Sequence, residues 1–214
     1  MDNTTSTRPP GGSQGVGTLA RCLLASYLLL FTICGYAPRD RAVWFAENLP
    51  IVLIVVLVVW LTRHQALRGT PVTGVALLMM SVLPILHTIG GHYTFERVPF
   101  GLVTEFFDFE RNHYDRLAHF SVGFYAFGIA ELIQSRRLVN TAWILYLFPL
   151  FAIVTVAGLY EVFEWQYAIS ADESAGIAVL GSQGDIWDAQ KDILADGLGA
   201  LFALACFRVF ARYR

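Results

Sequence analysis

The chain is 214 residues long, 56% hydrophobic and 15% charged, with a formal net charge of −2 and a mean hydropathy of +0.53. This composition excludes an ordinary soluble domain, and a near-neutral chain without a basic stripe excludes a nucleic-acid partner. Apolar runs at about 19–37, 43–62, 72–90, 116–134, 142–165 and 187–210 predict an all-α integral membrane bundle of about six transmembrane helices.

Residues 1–18 are rich in Thr, Ser, Gly and Pro and have almost nothing to bury, so they predict a disordered cytoplasmic tail before one membrane domain, 19–214. No small-x-small site follows the first run, which therefore reads as a retained helix rather than a cleaved signal. Cys22, Cys34 and Cys206 all lie inside apolar runs and read as packing or lipid-facing residues, not as a disulfide framework. With the N-terminus inside, the inner segments hold Arg8, Arg21, Arg63, Arg68, Arg136, Arg137, Arg208, Arg212 and Arg214. Arg39, Arg41, Arg97, Arg111, Arg116 and Lys191 fall outside, so nine of fifteen basic residues favour cytoplasmic termini.

Glu47 in the second run and Glu131 in the fourth lie near span ends, where snorkelling or an Arg partner accounts for them. In the third run Pro84 kinks the helix and frees the Met80 carbonyl, His87 follows, and Gly90-Gly91 end the helix before His92-Tyr93. The stretch 94–112 sets Leu102, Val103, Phe106, Phe107 and Phe109 around Glu105 and Asp108, the pattern of a short interfacial helix. Asp115 and His119, four apart, share a face at the start of the fourth span, with Arg111 one turn earlier if the helix reaches it. A carboxylate and an imidazole so spaced chelate a metal, or the carboxylate orients the imidazole.

Glu161 and Glu164 close the fifth span on one face, against the helix dipole, where two carboxylates share a proton or bind a cation. The stretch 169–185, with Gly176, Gly181 and Gly184, reads as a loop. Asp188, Asp192 and Asp196 then recur every four residues as an acidic stripe entering the membrane. Capping by Asp185 or Ser182 explains acids at the helix start but not Asp192 or Asp196. Lys191, the chain's only lysine, is a candidate for a headgroup phosphate.

Alternating spans bring all these ends to one side of the bilayer, where an unpaired central charge costs about 2.5–3.5 kcal/mol or more. No G-x-S-x-G elbow, H-E-x-x-H helix or phosphate-binding Gly-Lys-Ser/Thr loop is present. The candidate metal ligands are His87, Asp115, His119, Glu161, Asp192 and Asp196, a mixed set suited to Zn²⁺, Mn²⁺ or Fe²⁺. Glu164 and Asp188 are the candidate general bases for a metal-activated water, and Arg111, Arg116 and Lys191 the headgroup-binding residues. The expected partners are membrane lipids or a lipid-linked ligand at the outer leaflet. Two other classes use the same residues: a non-catalytic lipid or ligand binder, and a proton- or cation-coupled transporter. The absence of an internal repeat counts against the transporter.

The segments His87-Thr-Ile-Gly-Gly-His92-Tyr93, Arg111-Asn-His-Tyr-Asp-Arg-Leu-Ala-His119-Phe120, Glu161-Val-Phe-Glu164-Trp165 and Gly181-Ser-Gln-Gly-Asp185-Ile-Trp-Asp188-Ala-Gln-Lys-Asp192 resemble the bacterial YjdF-type inner-membrane family. The resemblance runs from about residue 20 onward and implies a multi-spanning protein of the bacterial inner membrane. A weaker likeness joins Asp115-Arg-Leu-Ala-His119-Phe120 and Asp192-Ile-Leu-Ala-Asp196-Gly-Leu-Gly199 to VanZ-like membrane proteins. Those carry Lys where Arg116 stands and Asn where Asp196 stands, so the likeness implies a related helical fold and an envelope role rather than shared chemistry.

Overall fold

Inside hydrocarbon each segment must satisfy its own backbone polar groups, and helices do so within themselves. The computed structural model describes residues 11–63 and 72–211, and among these every regular element is helical. Arg8, Arg68, Arg212 and Arg214, which count toward the expected orientation, lie outside the described residues, as does the tail up to residue 10. Helix α1 spans Gly11–Tyr36 and so begins before the expected tail boundary; α2 spans Arg41–Arg63 and α3 Gly74–Tyr93. A 3-10 turn, Phe95–Arg97, and the short α4, Gly101–Phe106, precede α5, Tyr114–Val122, and α6, Tyr125–Ser135. Helices α7, Ala142–Ser170, α8, Glu173–Leu180, and α9, Asp188–Ala211, follow.

Helices α1, α2, α3, α7 and α9 are each long and apolar enough to cross a membrane. The fourth expected span is instead α5 and α6 in tandem, broken at Gly123–Phe124. There the Phe124 N–H donates to the Ser121 carbonyl and the Ala126 N–H to that of Gly123, tighter i→i+3 bonds than an α-helix makes. The break lies where α9 presses closest. A Cβ on Gly123 would sit 2.1 Å from the Ala200 nitrogen, and one on Gly199 only 1.9 Å from the Phe120 carbonyl oxygen. Two backbones touch here with no side chain between them, the approach that small residues permit in membranes.

Helix α9 packs on α5, α6 and α7, while α3 packs on α1, α2, α5 and α6, so the tandem pair is held between α3 and α9. One end of the bundle is filled by Ala76, Ala126, Phe127, Ala130, Ile153, Ala200, Ala203, Leu204 and Phe207. Leu53, Val56, Phe151, Leu159, Val162 and Leu201 point outward as a lipid-facing surface.

Several local expectations change. Helix α3 does not end at Gly90-Gly91; it continues to Tyr93 and stops at Thr94, whose φ of 64° is left-handed and whose N–H donates to the Gly90 carbonyl. Gly90 instead makes room for the Phe95 ring, 2.4 Å from where its Cβ would be. The stretch 169–185 is not all loop, because α8 folds back on α7 where a Cβ on Gly176 would meet the Ala168 carbonyl at 2.7 Å. Helix α7 runs on to Ser170, so Glu161 and Glu164 lie within it and its terminal dipole does not bear on them. Helix α5 begins at Tyr114, so Arg111 approaches from the preceding loop. Glu131 is buried rather than snorkelling, and accepts hydrogen bonds from the Thr73 N–H (2.9 Å) and hydroxyl (3.2 Å) at the start of α3.

Candidate functional site

The four-residue spacing on α9 puts Asp188, Asp192 and Asp196 on one face, and all three are buried against α5. At the mouth of the site, Arg111 donates to Asp188 (2.7 Å) and to the carbonyls of Ser182 (2.9 Å) and Gly181 (3.2 Å). Arg116 bridges Asp188 and Asp192. Asp185 lies 3.6 Å from Arg111 and 3.8 Å from Arg116, and accepts from Lys191 at 2.6 Å. The Lys191 hydrogen bond, with that of the Trp187 N–H, holds the Asp185 carboxyl below the usual range. Burial, then the charges of Arg111, Arg116 and Lys191, push the His113 imidazole below its ordinary value.

One turn deeper, His119 faces two ways. Its Nδ1 lies 3.1 Å from Asp196 Oδ2, while Nε2 lies 3.7 Å from Asp115 Oδ1 and 3.8 Å from Asp192 Oδ1. Asp115, His119 and Asp192 each offer a ligand atom, and these atoms all fall within 4.8 Å of one another. Asp196 stands on the other ring nitrogen and orients the imidazole. Its Oδ1 is buried without a hydrogen-bond partner among the described residues.

Across the site, His87 does not join that group. Its Nε2 sits 3.1 Å from Glu47 Oε2, to which the Tyr160 hydroxyl donates at 3.0 Å. Tyr160 lies between the two histidines, with ring centroids 6.0 Å from His87 and 6.3 Å from His119. Phe95, edge-on to His87 at 4.9 Å, closes this side from a left-handed φ of 37°. Glu164 is buried and Glu161 half-buried on the same helix; Glu161 Oε1 is buried without a hydrogen-bond partner among the described residues. His92 stays outside, its Nδ1 2.8 Å from the Cys34 carbonyl.

Glu47 and Tyr160 are the site residues that sequence reasoning missed. A signal existed for Glu47: the second span starts on the side where the third ends, which puts this acid at the depth of the others. Tyr160 had none beyond its place beside Glu161.

Helices buried against one another around an acidic interior, with apolar outer faces, define a multi-spanning helical membrane protein with a polar site toward one end. The chain belongs to the family described as "Predicted membrane protein (DUF2238)", which matches residues 19–213. It is similar to the inner membrane protein YjdF of Escherichia coli (strain K12), 30% identical over 181 residues, covering 84% of this chain and 83% of that protein. No solved structure matches the chain.

Proposed function

We propose that Asp115, His119 and Asp192 hold a divalent cation, Zn²⁺, Mn²⁺ or Fe²⁺, and that the site hydrolyses or modifies a lipid or lipid-linked headgroup. The observation that carries this is His119: with Nδ1 committed to Asp196, its Nε2 is left to face two carboxylates. That is the carboxylate–histidine–metal arrangement, in which the second carboxylate fixes the tautomer and raises ligand basicity. Charge supports it as well. Seven carboxyls, Glu47, Asp115, Glu161, Glu164, Asp188, Asp192 and Asp196, share the site with Arg111, Arg116 and two imidazoles, a surplus of acidic groups that a bound cation would let ionise.

A bound cation supplies a water acidic enough to attack at neutral pH. Glu164, a buried carboxyl on α7, is the candidate base that would accept a proton from such a water, with the headgroup alcohol as the leaving group. Asp188 is held by both arginines and serves to position them. Arg111, Arg116 and Lys191 at the mouth supply the donors a headgroup phosphate would take in exchange for carboxylates. By the positive-inside rule this mouth faces outward and both termini are cytoplasmic; the inner membrane follows from the E. coli relative.

One observation favours the second reading, a non-catalytic binder. Arg116 already engages Asp192, which a metal would need, and an arginine–carboxylate network alone can grip a lipid-linked anion. Elemental analysis of detergent-purified protein beside an Asp192→Asn, His119→Gln double variant separates the two. Near-stoichiometric metal in the wild type, lost in a folded variant, is the expected result. Metal-free wild type after Zn²⁺ or Mn²⁺ supplementation would leave the binder.

A further inference from the structure

The acids of the site divide by partner. Asp185, Asp188 and Asp192 are paired with Arg111, Arg116 or Lys191, whereas among the described residues no arginine or lysine pairs with Glu47, Glu161 or Glu164. The carboxyls without an arginine or lysine partner therefore collect on the glutamate side, between α2, α3 and α7. Glu47 is the extreme case. It is 1% exposed, and its Oε1 is buried with no hydrogen-bond partner among the described residues, while Oε2 carries both contacts.

We infer that Glu47, His87 and Tyr160 form a second cation position, distinct from the Asp115–His119–Asp192 group. Ligands that sit about 2.0–2.2 Å from a metal lie about 3–3.5 Å from one another in tetrahedral or octahedral geometry. The three donor atoms meet that spacing: His87 Nε2 to Glu47 Oε2 is 3.1 Å, Tyr160 Oη to Glu47 Oε2 3.0 Å, and Tyr160 Oη to His87 Nε2 3.4 Å. Hydrogen bonding within the trio accounts for Oε2 but leaves the buried Oε1 without a partner among the described residues, whereas a cation would use both oxygens. Glu164, buried on α7, adds a second carboxyl within electrostatic range of Glu47. Three helices are joined by this trio, so the same cation would also tie α2 to α3 and α7. An imidazole nitrogen with a carboxylate selects Zn²⁺ or Mn²⁺ over Ca²⁺.

The test is metal stoichiometry on the full-length protein in detergent, stripped with chelator and titrated with Zn²⁺ and then Mn²⁺. Two equivalents per chain are expected in the wild type. One should remain in Glu47→Gln, His87→Gln, and one in Asp192→Asn, His119→Gln, each checked by thermal unfolding. Tyr160→Phe keeps the ring and should weaken only the equivalent that the Glu47 variant loses, by about tenfold or more. A single wild-type equivalent that survives in the Glu47 and His87 variants overturns this inference and leaves the aspartate site standing. A single equivalent lost only in those variants supports it and overturns the aspartate site. No binding at all overturns both.

Discussion

At the residue scale the weight falls on hydrogen-bond partners rather than on residue type. His119 and His87 look alike in the sequence, yet one is flanked by three aspartates and the other by a glutamate and a tyrosine. Asp196→Asn keeps the shape but replaces the carboxylate facing His119 Nδ1 with an uncharged amide, a weaker acceptor that can also present its NH2. Metal affinity at the Asp115–His119–Asp192 group should fall about 10–100-fold, read by a binding isotherm in folded protein. The mouth carries a pH dependence of its own. Asp185 titrates below the ordinary aspartate value of about 3.9 because Lys191 and the Trp187 N–H bind its charged form. That contact stabilises the start of α9 at any pH above the ordinary value, and is lost as pH falls through the lowered one. Lys191→Met should move the titration upward, as followed by NMR through the Trp187 amide. The aspartate half of this chemistry was legible, because i, i+4 spacing puts side chains on one face whatever surrounds them. The glutamate half was not: the nearness of Glu47 to His87 and Tyr160 depends on how α2, α3 and α7 pack, and no local pattern reports that.

At the element scale glycine contacts decide the geometry. Gly199→Ala drives a methyl group into the Phe120 carbonyl and should cost more than about 3 kcal/mol or prevent folding. Gly158, with nothing within 4 Å of its would-be Cβ, is the control. Gly158→Ala should be neutral or stabilise α7 by about 0.5–1 kcal/mol, measured by denaturant titration in detergent. These contacts also explain the misread elements. Hydropathy shows where a run is apolar but not where a neighbouring backbone breaks it, so α5 and α6 looked like one helix. Gly176 looked like a loop signal because a packing glycine and a turn glycine are the same residue. The span positions themselves were legible, because length and apolarity are imposed by the bilayer.

At the scale of the whole molecule, alternating helices place Ser182 at the polar end and Gln134 at the other. In a variant lacking Cys22, Cys34 and Cys206, Ser182→Cys should be labelled by an impermeant maleimide from outside intact cells, and Gln134→Cys only after permeabilisation. Labelling of both from one side would overturn α7, the membrane-long helix between them, as a crossing. The contact between Gly123 and Gly199 reaches further than packing. It lies just beneath Asp196, with backbone against backbone, above the alanines and phenylalanines that fill the other half of the bundle. The polar end is thus shut off from the apolar half between these two helices. Passing anything from one to the other there would mean prising α5 from α9 at this contact.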